Sequence, residues 1–188
     1  MRRQFFASIF VLVLSVSSIL AQDDDDLGVG NIFRVNFINP ALEYELKIGG
    51  FSVLSAAGGI GYSGSYRELE VQGANGFAYI ISPFLDIQHK WFYNRTKRAA
   101  SGKYIGYNSG NYFSLRGISR FGSIAENVTR TDNVDFAIGP TWGLQRSNSK
   151  LHFLFDIGPQ YYTDTVGNSG FFPIMIQINI GLNLSYNK

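Results

Sequence analysis

The chain has 188 residues, 45% of them hydrophobic, 15% aromatic and 16% charged, with a formal net charge of +2 and no cysteine. That length suits one domain or two small ones, and the apolar content excludes an intrinsically disordered chain. Without cysteine there can be no disulfide staple, thiolate metal centre or lipidated N-terminal cysteine.

Residues 1–21 read as a cleaved secretory signal peptide. Arg2 and Arg3 precede an apolar run from Phe5 to Val16, and Ser17, Ser18 and Ala21 supply small residues for cleavage. The run is short for a bilayer-spanning anchor. Its removal takes two arginines and no acid, leaving 14 basic residues against 14 acidic ones. A neutral mature chain gives no electrostatic support to a nucleic-acid partner. Residues 22–30, with the run Asp23 to Asp26, read as an acidic flexible spacer that could also bind calcium weakly.

From Phe33 the pattern is alternation with a period of two, the signature of strands with one apolar face. Phe33, Val35 and Phe37 alternate with Arg34 and Asn36. After Asn39-Pro40, Leu42, Tyr44, Leu46 and Ile48 alternate with Glu43, Glu45 and Lys47. Residues 51–64 set Leu54, Ala56, Ile60 and Tyr62 against small residues. Phe51 and Val53 fall out of phase there, which predicts a bulge near Leu54. A fourth segment, Phe77 to Tyr93, opposes Leu85, Ile87 and Trp91 to Asp86, Gln88 and Lys90. A fifth, from about 103 to 120, opposes Phe113 and Leu115 to Ser114 and Arg116.

The last three segments are the most regular. Phe136, Ile138, Trp142 and Leu144 alternate with Asp135 and Gln145, and Phe153, Phe155, Ile157 and Tyr161 with His152, Asp156 and Gln160. Residues 172–186 place six aliphatics, from Ile174 to Leu184, opposite Gln177, Asn179 and Asn183. At 100° per residue these aliphatics would scatter around a helix, whereas at 180° they form one stripe. The segment is a strand, and the total is eight.

Volume decides which way the apolar face points. An eight-stranded barrel has an interior just wide enough for side chains to fill. The bulky aliphatics and aromatics of the last three strands would overfill it, while the opposite face, rich in Gly, Ala, Ser, Asn and Gln, would fit. The expectation is an eight-stranded antiparallel up-and-down transmembrane β-barrel over residues 31–188, apolar outward. Arg34, Glu43, Glu45, Lys47, Asp86, Lys90, Arg116, Asp135 and Asp156 then form an interior polar network, with Glu43, Glu45 and Arg116 at its centre. Trp91, Phe92, Tyr93, Tyr161 and Tyr186 stand near strand ends, where lipid-interface aromatics belong. A closed barrel leaves no open edge, so no staple is needed.

In an even-stranded barrel both termini face the periplasm. The connections near 39–40, 64–76, 121–133 and 164–170 then lie outside, and those at 49–50, 94–102 and 147–149 inside. The basic turn carrying Arg95, Lys97, Arg98 and Lys103 offers contacts to inner-leaflet phosphates. The outer loops carry Arg67, Glu68, Glu70, Glu126, Arg130 and Asp132, which name no ligand. Gly58-Gly59-Ile60-Gly61 lies within a strand and reads as room for bulky interior neighbours, not as a phosphate cradle. His89 is expected on the lipid side and His152 inside, both near the periplasmic end, away from outer-leaflet chemistry. No G-x-S-x-G, phosphate loop or metal-ligand cluster appears, so no catalytic residue, cofactor or metal is assigned.

Asn31-Ile-Phe-Arg-Val-Asn-Phe-Ile-Asn-Pro-Ala-Leu-Glu-Tyr-Glu45 resembles the opening hairpin of small outer-membrane β-barrel proteins of unassigned function in Bacteroidota. The basic turn followed by Ser101-Gly-Lys-Tyr-Ile-Gly106 resembles theirs as well, and Asp164-Thr165-Val166 resembles the short O-glycosylation acceptor of that group. In strand count the chain is similar to the OmpA transmembrane domain and OmpX. The resemblance implies location and fold, and no activity.

The expected function is a non-enzymatic outer-membrane barrel with a structural or surface-interaction role. Its partners would be outer-membrane lipid and an unidentified extracellular or periplasmic protein, and the barrel itself a monomer. A narrow passive channel and a soluble periplasmic ligand-binding barrel are the alternatives.

Overall fold

In the computed structural model, residues 27–63, 70–71, 80–126, 128–129 and 133–188 are described. Residues 1–21, expected to be a leader, and the run Asp23 to Asp26 lie outside them, as do Arg67, Glu68, Arg130 and Asp132.

The described chain is all-β apart from one short helix. Its long strands are β1 (Asn31–Asn36), β2 (Ala41–Gly49), β3 (Ser52–Ser63), β4 (Ile80–Phe92), β5 (Gly110–Arg120), β6 (Asp135–Ser147), β7 (Leu151–Asp164) and β8 (Ser169–Asn187); helix α1 (Arg95–Ala100) follows β4. Each strand pairs antiparallel with its sequence neighbour, and β8 returns to β1, with Asn31 opposite Asn187. The sheet is therefore a ring. Two-residue ladders at its loop end pair Ala125–Glu126 with Ile80–Ile81, and Glu70–Val71 with Val128–Thr129.

Side chains alternate across this wall as the period of two requires. Leu42, Leu115, Ile138 and Ile178 are exposed on the outer surface, while Arg34, Glu45, Lys90 and Asp156 are wholly buried inside. The expected orientation of the two faces is the one observed.

Three local readings change. Val53 is buried and stays in phase with Ser55, and the register shift falls between Lys47 and Gly49 instead of near Leu54. Val53 looked out of phase because the interior is apolar at this end. There it packs with Val29, Phe92, Tyr112 and Leu154. Val29 belongs to this plug, so the expected spacer does not extend to residue 30: Gly28, Val29 and Gly30 are buried. The basic turn is also partly helical, since Arg-Thr-Lys-Arg-Ala-Ala consists mostly of good helix formers.

In the glycine-rich part of β3, Gly61 leaves space for the Phe84 ring, 3.1 Å from where its Cβ would stand. Gly59 answers to backbone instead. A Cβ there would lie 2.0 Å from the Pro40 carbonyl oxygen, so the β1–β2 turn can approach only a glycine. Pro140 and Pro159 sit where the β6–β7 ladder is interrupted, as a missing N–H demands.

Candidate functional site: the charged interior

Alternation delivers the inward side chains of every strand to one enclosed space. The first cluster lies near the end that carries the chain termini. Glu45 on β2 accepts from Arg34 Nη2 at 2.9 Å, Lys90 Nζ at 2.8 Å, Asn108 Nδ2 at 2.8 Å and Gln145 Nε2 at 3.2 Å. Glu43, two residues earlier and so on the same face, accepts from Lys90 Nζ at 3.2 Å, Asn36 Nδ2 at 2.7 Å and Ser55 Oγ at 2.9 Å. His152 lies between Ser147 Oγ, 3.0 Å from Nδ1, and Arg34 Nη1, 3.2 Å from Nε2. Lys90 also stands over the Tyr112 ring, 5.5 Å from its centroid.

A second cluster sits further along the ring. Arg116 on β5 donates from Nε and Nη2 to Asp86 Oδ2, at 3.0 and 2.6 Å. Its Nη1 lies 3.7 Å from Asp156 Oδ1. Asp156 Oδ2 accepts from Gln88 Nε2 at 2.9 Å and from the Tyr112 hydroxyl at 3.3 Å. Beyond this, Arg120 donates to Asp135 at 3.0 Å, next to an apolar layer of Ile118, Ala137 and Tyr162. Each of these ion pairs among the described residues joins different strands, so the pairs fix the strands' relative heights.

All nine residues expected in an interior network face inward. Eight are buried, and Lys47 is half-buried near the end of β2. Their partners differ from expectation. Glu43 and Glu45 join Arg34 and Lys90, not Arg116, which belongs with Asp86 and Asp156. Sequence reasoning set Asn36, Ser55, Gln88 and Gln145 on the polar face without naming them in the network, and it missed Tyr112 and Arg120, although their phase within β5 marks them as inward. It could not find Asn108. That side chain enters the interior because Tyr107 and Asn108 both take left-handed backbone conformations, φ 50° and 55°.

Of the aromatics expected near strand ends on the outer face, Tyr93 and Tyr161 are exposed and Trp91 and Tyr186 half-buried. Tyr93 stacks on Phe113 at 5.1 Å and accepts a bond from Trp142 Nε1 at 2.9 Å. These rings form a continuous outer patch at the terminal end of the wall. Phe92 departs from the expectation. It points inward, 1% exposed, against Tyr112, because residues 91–93 alternate like the rest of β4.

Arg95 departs further. It is 2% exposed and donates to the carbonyl oxygens of Leu27 at 2.8 Å, Gly28 at 2.6 Å, Ile105 at 2.8 Å and Ser109 at 3.2 Å. Burial lowers its pKa to about 10, which leaves it charged at neutral pH. It is thus no phosphate ligand but a clamp tying the N-terminal segment to α1 and the segment after it. Lys97 and Lys103 remain exposed, and Arg98 is half-buried, donating to the Tyr104 carbonyl at 2.9 Å.

Arg95→Ala is expected to lose about 2–3 kcal/mol, since several carbonyls would lose a charged donor. Arg95→Lys should recover little of it, because an ammonium cannot reproduce the planar fork. Urea unfolding followed by tryptophan fluorescence reads both. Equal stability of the lysine variant and the parent would refute the clamp.

His89 is half-buried on the outward-facing phase of β4, and Thr165 is exposed in the β7–β8 hairpin. Asp164 Oδ1 organises that hairpin by accepting from the N–H groups of Val166, Gly167 and Asn168. Among the described residues, no group of three or more His, Asp or Glu is placed to hold a metal ion. Compared with protein-family models, curated proteins and solved structures, the chain matches none.

Proposed function

We propose that the chain is an eight-stranded outer-membrane β-barrel, exported by a cleaved leader, non-enzymatic and with a structural or surface-interaction role. One observation carries this reading: large aliphatics and aromatics are exposed all around the ring, while arginines, lysine and carboxylates fill its interior. A water-soluble protein rarely exposes so continuous an apolar surface. Lipid requires it, and ring closure satisfies the backbone there. On β8 the exposed aliphatics run from Ile174 to Leu184. At about 3.3 Å per residue and a tilt of about 40° they rise roughly 25 Å, the height of an outer-membrane apolar band.

The outer patch of Tyr93, Phe113 and Trp142 then marks one interface, and the β7–β8 hairpin tip on the opposite end faces the exterior. A conducting pore is disfavoured by the two apolar layers that interrupt the interior. The mid-ring cavity beside Asp86 and Gln177 holds only about 10 Å³. A soluble carrier of apolar ligands is disfavoured by the same charged interior.

The test is fractionation of cells expressing the full chain with its leader, with gel electrophoresis before and after heating. Recovery in the outer membrane with heat-dependent mobility is the expected result. A soluble protein of unchanged mobility would overturn both location and orientation. Planar-bilayer recording separates the pore reading, since a plugged interior gives no steady conductance.

A further inference from the structure

The wall of the ring has a notch. Strand β1 ends at Asn36, opposite Gly181, and its last bond to β8 runs from Phe37 N–H to the Ile180 carbonyl at 2.8 Å. Strand β2 begins at Ala41, opposite Gly59, with Ile60 N–H bonded to the Pro40 carbonyl at 2.8 Å. Beyond this level β8 continues to Ser169 paired with β7, and β3 continues to Ser63 paired with β4. Among the described residues no strand joins these two upper edges to each other.

The β1–β2 turn thus stops partway up the apolar belt, because Ile174 and Ile176 lie beyond it on β8. Its composition agrees. Phe37 and Ile38 are exposed at 53% and 43%, in a turn where polar residues would ordinarily stand.

The notch opens into a cavity of about 390 Å³, within the range of small-ligand sites. Ile38, Ile176 and Ile178 form its outer part, and Met175, Gln177, Ser82, Arg116 and Arg120 its inner part. The inner charges are already matched, Arg116 by Asp86 and Asp156, and Arg120 by Asp135. What lacks a hydrogen-bond partner is acceptor oxygen. Gln177 Oε1, on the wall of this cavity, is buried and unpartnered. A carboxylate or phosphate would bring more acceptors to this acceptor. A hydroxyl group would donate to it.

We propose that this notch is a lateral binding site for an uncharged, hydroxyl-headed, single-chain amphiphile of the monoacylglycerol class. Its chain lies across Ile38, Ile176 and Ile178, and a headgroup hydroxyl reaches Gln177. The site rests on the membrane reading above, since such a ligand would enter sideways from the lipid.

The test is photolabelling of the full chain, folded in phosphatidylcholine vesicles, with a monoacylglycerol carrying a diazirine in its acyl chain. Adducts should concentrate at Ile38 and Met175 to Ile178, and unlabelled monoacylglycerol should displace them. A fatty acid of equal chain length should compete about tenfold less well, as loss of roughly one hydrogen bond's worth of affinity implies. Gln177→Leu should reduce specific labelling by a similar factor, and Ser82→Phe should block it.

Gln177→Leu and the competition arm carry the test if Ser82→Phe does not fold, as heat-dependent mobility would reveal. Labelling spread evenly around the belt, at Leu85 and Phe136 as much as at the notch, overturns the site and leaves the membrane reading intact. So does equal competition by the fatty acid. Failure of the chain to float with the vesicles overturns the membrane reading and the site together.

Discussion

Replacing Glu45 by alanine is expected to cost about 3–5 kcal/mol of stability, the usual penalty for breaking a buried ion pair from one side. The reason is the number of groups that depend on it. Arg34 and Lys90 each place a charged nitrogen within 3 Å of the Glu45 carboxylate, and both side chains are fully buried. Asn108 and Gln145 donate to it as well. Without it, two cations share Glu43 alone, at 3.6 Å from Arg34 and 3.2 Å from Lys90. Glu45→Gln should lose less, because acceptor oxygen remains. Adding Lys90→Met to Glu45→Ala should recover much of the loss, since it removes the uncompensated charge. The urea midpoint, followed by tryptophan fluorescence, measures all three. A Glu45→Ala protein within about 1 kcal/mol of the parent, the scale of an exposed pair, would contradict this account of the interior.

The second large effect is expected at Arg116. Arg116→Leu removes the cation that lies within 4 Å of both Asp86 and Asp156. Gln88 and the Tyr112 hydroxyl remain as neutral donors to Asp156. Two buried carboxylates on β4 and β7 would then share one small interior space without a counter-charge in contact, again at about 3–5 kcal/mol. Combining Arg116→Leu with Asp86→Asn should be milder than Arg116→Leu alone. That inversion, in which a second substitution restores stability, separates charge imbalance from lost packing. If the double variant is instead the less stable by the sum of both losses, the two residues act independently.

The fold was largely legible because alternation is a one-dimensional record of a two-faced sheet. The phase that places Leu42, Leu115 and Ile178 outside is the phase that places Glu43, Arg116 and Gln177 inside. The pairing within the interior was not legible. Which charges meet depends on the stagger of the strands around the ring, and nothing in Glu43 or Arg116 themselves records their relative height. Phe92, Val53 and Val29 misled for a different reason. The rule of a polar interior fails where the ring is stoppered by apolar side chains, and there the apolar residue is the inward one. Arg95 misled because four basic residues in a connection suggest an exposed patch, and only the fold brings the Leu27, Gly28, Ile105 and Ser109 carbonyls around one of them. The short β1–β2 turn was visible at Asn39-Pro40. Its consequence for the wall required the register of β8.

The central claim is that the wall faces lipid outward and carries its charges inside. The chain has no cysteine, so single cysteines can be placed and spin-labelled cleanly. Labels at Leu115 and Ile178 on the outer face, and at the neighbouring inward position Ser114, can be compared in vesicles by collision with dissolved oxygen and with a water-soluble nickel chelate. The account predicts strong oxygen relaxation and little nickel relaxation at Leu115 and Ile178, and protection from both reagents at Ser114. Nickel relaxation at Leu115 and Ile178 matching that of a label at exposed Val166 would contradict it.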